Sequence, residues 1–238
     1  MIKIALDGPS GAGKSTVAKA IAKMLSIVYV DTGALYRSIG LFINRLGIDK
    51  ADKENIIGQL KNISLSLEYK DGVQSVILNG EDVSGLIRTG EIAMYASAVS
   101  AIPEVRAFLL DTQRDIARKN SVIMDGRDIG TVILPDAEVK IFMVASPEAR
   151  AKRRYLELIE KGESCTYESV LKDIVERDKN DSTRKVAPAI PAEDAVFLDN
   201  SDLDIATTST ASFADLGKPS ELPIIVGFFA ITSYCERT

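Results

Sequence analysis

Histidine and tryptophan are absent from the 238 residues, and only two cysteines occur, Cys165 and Cys235. Without histidine there is no Ser-His-Asp triad and no Cys-His dyad. The two cysteines form no CxxC or Cys/His cluster, which excludes zinc sites of the usual kind. Any chemistry must therefore rest on lysine, arginine, carboxylates, hydroxyls or a metal. An excess of positive charge is missing too. The net charge is -5 and the pI about 5.0. That argues against a general nucleic-acid-binding surface and leaves room only for a local basic pocket. No signal peptide and no membrane-length apolar run is found, so no membrane partner is expected. The expected setting is the reducing cytoplasm.

Hydrophobic residues, by contrast, make up 46% of the chain. This suits one large α/β domain, or one domain with an insertion. Short apolar runs at 2–6, 27–30, 121–124, 139–144 and 195–198 read as buried strands. Between them lie helical patterns. Val17, Ala18, Ile21, Ala22 and Leu25 fit one helix face, and Ser146-Pro147-Glu148 reads as an N-cap, a first-turn proline and a first-turn acid. That helix should stop at Gly162. Further helices should begin near Gly90 and at Pro103. Strands alternating with helices predict a parallel sheet covered on both faces. Residues 63–89 break the alternation. There Leu65 and Leu67, Asp71-Gly72, Val76-Ile77-Leu78 and Asn79-Gly80 predict a small antiparallel insertion.

Directly behind the first apolar run stands Gly8-Pro9-Ser10-Gly11-Ala12-Gly13-Lys14-Ser15, the P-loop pattern G-x-x-x-x-G-K-[ST]. A strand ends, the backbone turns sharply, and a helix begins with its free N–H groups aimed at phosphate oxygens. Lys14 can reach the terminal phosphates, and the Ser15 hydroxyl can ligate Mg²⁺.

Three further clusters carry charge at the ends of predicted strands. Asp31-Thr32-Gly33-Ala34-Leu35-Tyr36-Arg37 follows the second, where Asp31 and Thr32 would face the P-loop cleft and Arg37 could hold a phosphate. A helix N-cap followed by a surface arginine explains that segment equally well. Asp125-Gly126-Arg127-Asp128 follows the third. It offers an acid to order Mg²⁺ and its waters, a second arginine fork, and a carboxylate able to accept from an exocyclic amine. Arg150, Lys152, Arg153 and Arg154 crowd one helix. They fit either a solvated face or a lid closing over phosphates. Arg177, Asp178, Asp181 and Arg184 alternate in sign, which surface ion pairs would also explain.

Taken together these motifs resemble one family, bacterial cytidylate kinase, a nucleoside monophosphate kinase. The likeness runs to about Asp199. It includes Asp7 to Thr16, Asp31 to Arg37, Gly80-Glu81-Asp82-Val83-Ser84, Asp125 to Val132, Pro135-Asp136-Ala137, and Glu176-Arg177-Asp178 leading to Asp181 through Pro188. The resemblance implies a P-loop three-layer α/β/α fold with a five-stranded parallel sheet, an antiparallel acceptor-nucleotide insertion at about 61–89, and a short lid at about 152–166. It implies γ-phosphate transfer from ATP to CMP or dCMP with Mg²⁺, by a monomer.

Carried over by position, Gly8 to Thr16 would bind ATP, and Arg37, Arg127 and Arg177 would hold the CMP phosphate. Ser97, Arg106 and Asp128 would read the cytosine edge, Asp181 and Arg184 would meet the ribose, and Thr32 would also belong to the CMP site. Lys14, Arg37, Asp125, Arg127 and Arg177 would carry catalysis. Arg150, Arg153 and Arg154 would serve the lid, and Ser15 the metal. Two other readings stay open: a small P-loop kinase for another monophosphate or metabolite, and a nucleotide-binding module without turnover. The segment 206–238 departs from the family. It holds an Ala/Thr/Ser stretch at 206–212 and an apolar run at 224–231, and is expected to be a peripheral, poorly ordered tail.

Overall fold

A computed structural model describes residues 1–70 and 73–201. The turn expected at Asp71-Gly72 and the whole 206–238 segment lie outside the described residues. The chain runs β1 (Lys3–Asp7), α1 (Lys14–Leu25), β2 (Val28–Asp31), α2 (Thr32–Arg45) and α3 (Lys53–Gln59). It continues through β3 (Leu65–Lys70), β4 (Val73–Leu78), β5 (Glu81–Asp82), α4 (Gly90–Ser100) and α5 (Pro103–Lys119). Then come β6 (Val122–Gly126), a π-helical turn (Ile129–Ile133), β7 (Val139–Val144), α6 (Pro147–Glu160), α7 (Tyr167–Thr183) and β8 (Val196–Asp199).

Five strands form one parallel sheet in the order β2-β6-β1-β7-β8. The P-loop strand β1 is thus central. The register sets Asp7 beside Gly126 and Asp31 beside Asp125, so the polar ends of β1, β2 and β6 lie together at one sheet edge. Such an edge is where a parallel α/β sheet takes its ligands. The insertion is a separate antiparallel sheet in the order β3-β4-β5.

Packing divides along the same line. Val76, Leu78, Val83 and Ile87 of the insertion share a core with Leu35, Ile39 and Ile43 of α2 and with α4 and α5. The parallel sheet has its own cores, built around Leu6, Ile21, Ile123 and Met143 on one side and Ala5, Val30, Met124 and Ile129 on the other. Helices α6 and α7 pair through Ala151, Leu158, Val170 and Ile174. The Ser146 hydroxyl accepts from Ala149 N at 3.1 Å and caps α6, while Gly162, at φ 78°, ends the helix. Among the described residues no single helix is long and apolar enough to cross a membrane.

Candidate active site

A cavity of about 630 Å³ opens where the P-loop, the ends of β2 and β6, and helices α4, α6 and α7 converge. The P-loop forms one wall. Gly8 sits at φ 143°, and a Cβ there would come within 1.9 Å of the Met143 carbonyl oxygen, so β1 can leave the sheet at this point only through glycine. Gly13, at φ 89°, stands immediately before α1 and turns the helix start toward the cavity. This is the geometry expected of an anion cradle.

Lys14 is buried, and its Nζ donates to the Pro9 carbonyl oxygen at 2.7 Å, folding back over its own loop. Burial, reinforced by the nearby Arg127 charge, brings its pKa down from 10.5 to about 7, against the pull of Asp125 and Asp7. Asp125 is also buried. Its Oδ2 accepts from the Ser15 hydroxyl at 2.6 Å and its Oδ1 from Tyr29 at 3.3 Å. Burial and the neighbouring Asp31 push this carboxyl up to about 6. A hydroxyl and a carboxylate in contact form the hard oxygen set that suits Mg²⁺. No cluster of three or more acidic, cysteine or histidine ligands occurs among the described residues, so these two residues fit an ion delivered with phosphate oxygens.

The opposite wall is basic. Arg37 donates through Nη2 to Asp31 at 2.6 Å, and Arg127 through Nε to Asp181 at 3.0 Å. Arg177 is held down to about 10 by burial and by Arg127, with Arg37 adding to the effect. A guanidinium pressed this hard by two others marks a place built for an anion. Arg37 Nε, Arg177 Nε and Arg184 Nη2 are buried and lack a hydrogen-bond partner. Unsatisfied buried donors are costly, and an arriving anion would satisfy them.

Behind the arginines lies a polar pocket. Asp128 is buried, paired with Arg106, and faces Arg184 at 3.6 Å. The Arg106 guanidinium lies 5.5 Å from the centre of the Tyr36 ring. Ser97 and Ser100 of α4 complete this end of the cavity.

Most of the residues expected from the sequence line this one space: Ser10, Gly11, Gly13 to Thr16, Thr32, Arg37, Ser97, Arg106, Asp125, Arg127, Asp128, Arg153, Arg177, Asp181 and Arg184. Gly8, Pro9 and Ala12 shape the loop from behind without lining it. Two of the arginines expected to serve the lid do not line this space. Arg150 does not face the cavity. It is 2% exposed and donates to Ala145 O, Ser10 O and Asp178. Arg154 does not line the cavity either, but it pairs at 2.8 Å with Glu157, which does. Spacings of three and four residues keep the three arginines on neighbouring positions of α6, and it is the partner each one finds, Asp178, the Asn200 carbonyl or Glu157, that separates them.

Some residues of the site escape a reading by motif. Asp7 accepts from Ile129 N and Gly130 N, each at 2.8 Å, anchoring the π-helical turn that follows Asp128. Asn200 donates through Nδ2 to the Ala12 carbonyl at 2.8 Å, while its own carbonyl accepts from Arg153 at 2.6 Å. Gln74, on β4, accepts from Asp31 N at 2.9 Å and so brings the insertion to the site. The only sequence signal for Asp7 was its place ahead of the P-loop glycine. Asn200 and Gln74 had none, because their contacts are long-range.

Most of the chain is similar in sequence to known proteins. A family model for cytidylate kinase matches residues 4–211. A cytidylate kinase from Caldicellulosiruptor saccharolyticus is 50% identical over 204 residues, covering 86% of this chain and 90% of the relative. One from Streptococcus mutans is 48% identical, covering 86% and 91%. One from Carboxydothermus hydrogenoformans is 42% identical over 221 residues, covering 93% of this chain and all of the relative.

Proposed function

The chain belongs to the cytidylate kinase family, and from that membership we propose that its cleft transfers the γ-phosphate of ATP to CMP or dCMP. The observation that carries the residue assignment is the set of three arginines, Arg37, Arg127 and Arg177, crowded across from a P-loop. A module that only bound a nucleoside triphosphate would need the loop but not this second basic wall.

Lys14 and the P-loop amides hold the β- and γ-phosphates of ATP. Arg37, Arg127 and Arg177 fix the acceptor phosphate in line with the donor. Phosphoryl transfer asks mainly for positioning and charge neutralisation, so a chain without histidine loses nothing. Ser15 and Asp125 would hold Mg²⁺, which when bound would supply charge neutralisation for the phosphates. Asp128 accepts from the cytosine amine and meets a repelling acceptor in uracil, with Ser97 and Arg106 completing the edge. Thr32, Asp181 and Arg184 shape the remainder of the acceptor site. The 61–89 insertion serves the acceptor nucleotide, and the α6–α7 turn with Arg153 serves as the lid. All of these groups come from one polypeptide, which suits a cytoplasmic monomer.

A panel of nucleoside monophosphates with Mg-ATP, read by coupled ADP release, tests the assignment. CMP and dCMP should be preferred over UMP, AMP and GMP, and Lys14→Ala should lose activity by well over about tenfold. Asp128→Ala should erase most of the preference for CMP over UMP, a difference of about 1–3 kcal/mol. An unchanged preference would mean that another group reads the base.

A further inference from the structure

Arg150 is the one arginine of the α6 cluster that is fully buried, at 2% exposure, and its contacts are unusual. Nε donates to Ala145 O at 2.8 Å, and Nη1 to Ser10 O at 3.1 Å. The fork also grips Asp178 on both oxygens, Nη1 to Oδ1 at 3.0 Å and Nη2 to Oδ2 at 2.6 Å. Ser10 belongs to the P-loop. Asp178 adjoins Arg177, the buried acceptor-side arginine. One side chain thus touches the donor loop with one hand and the helix carrying the acceptor arginine with the other.

We propose that Arg150 is a positioning residue that ties the P-loop to Arg177 through Asp178, so that the donor and acceptor halves of the site are set together. The idea rests on the assignment of those halves above. Three observations support it. Holding the Ser10 carbonyl fixes the plane of its peptide, and with it the direction of the Gly11 amide in the loop. A Cβ on Gly11 would lie 3.4 Å from Arg150 Cβ, so the loop already packs against this side chain. A second tie runs in parallel, with Arg153 on the Asn200 carbonyl and Asn200 Nδ2 on Ala12 O, so α6 reaches a second P-loop carbonyl indirectly, through Asn200. Packing alone would be served by an apolar residue here. A bidentate fork with further donors on carbonyls instead fixes direction as well as distance.

The α6–α7 pair keeps its own apolar contacts at Ala151, Leu158, Val170 and Ile174, so the fork can be altered without removing the helix packing. The test compares Asp178→Asn, Arg150→Lys and the double variant with the unaltered chain. The readouts are kcat, KM for CMP, KM for ATP, and thermal melting. Asp178→Asn keeps the grip on Ser10 and loosens the hold on α7. It should raise KM for CMP about tenfold while KM for ATP stays within about twofold. Arg150→Lys loses the fork at both ends and should raise both KM values. The double variant should be no worse than Arg150→Lys, because the two residues act as a unit. The proposal is overturned if melting falls while both KM values hold, if Asp178→Asn moves the two KM values equally, or if the losses multiply in the double variant. If Lys14→Ala and the monophosphate panel also contradict the kinase assignment, the underlying reading has failed. If they agree with it, only the tie has failed.

Discussion

At the scale of single residues, the site is defined by charges that the fold buries or half-buries. Lys14 illustrates the consequence. Its pKa lies near 7 in the free protein because burial and Arg127 disfavour the ammonium. Bound triphosphate would bring negative charge to the same spot and raise that pKa. Between about pH 7 and 9 the free protein therefore carries a partly neutral Lys14, and binding restores its proton. ATP binding should take up protons at pH 8. Calorimetry in buffers of different ionisation enthalpy would detect this, and Lys14→Met should abolish the uptake. Proton uptake that persists unchanged in Lys14→Met would assign it to another group. Lys14 and Ser15 could be read from the motif alone, since the P-loop pattern prescribes both residue type and position. The orphaned nitrogens on Arg37, Arg177 and Arg184 could not, because being unsatisfied depends on what packs around each guanidinium.

At the scale of elements, the instructive segment is the π-helical turn Ile129–Ile133, held at its start by Asp7. Burial pushes the Asp7 carboxyl up to about 6 from 3.8, despite the two amides that favour its charge. The charged form is thus penalised in the folded state, fully so above pH 6. Between about pH 6 and 4 the native protein binds a proton that the unfolded chain does not, so this contribution improves as pH falls. Asp7→Asn removes that slope. The stability of the unaltered chain relative to the variant should therefore rise by up to about 3 kcal/mol from pH 7 to 4. Urea unfolding at both pH values checks this, and parallel curves for the two proteins would contradict it. The turn was not foreseen, because Ile-Gly-Thr-Val-Ile carries no period that distinguishes it from a strand.

The strands were legible with a consistent offset. Apolar runs at 2–6, 27–30, 121–124 and 195–198 became Lys3–Asp7, Val28–Asp31, Val122–Gly126 and Val196–Asp199. Each extends onto a polar residue or glycine at its far end. Hydrophobic patterning stops at the last apolar side chain, whereas the ladder continues one or two residues further, onto cavity-lining Asp31 and Gly126 in β2 and β6 and onto loop-anchoring Asp7 and Asp199 in β1 and β8. The run at 139–144 has no such residue, and its strand matched end to end.

At the scale of the whole molecule, the insertion is not an appendage. Its buried side chains share one core with α2, α4 and α5, and Gln74 reaches from β4 to the backbone of Asp31. Asp31 in turn caps α2 through Ala34 N at 3.0 Å and holds Arg37. Loosening Gln74 should therefore be felt on the acceptor side alone. Gln74→Ala is expected to raise KM for CMP several-fold and to leave KM for ATP near its original value. Equal changes in both would place Gln74 outside this route. That the 61–89 segment would be antiparallel was readable from its alternation and turns. Its contact with Asp31 was not, since a glutamine pairing across 43 residues leaves no local trace.

The arginine wall also makes the folded protein a reporter of its own surroundings. Guanidinium nitrogens such as Arg37 Nε and Arg177 Nε, buried without a hydrogen bond among the described residues, leave the protein less stable than it would be with an anion against them. Simple oxyanions should therefore act as stabilisers, each in proportion to its occupancy. The melting temperature should climb when chloride buffer is exchanged for phosphate or sulfate at matched ionic strength. The climb should shrink in Arg177→Met. The choice of storage buffer would then decide how long the protein lasts on the bench.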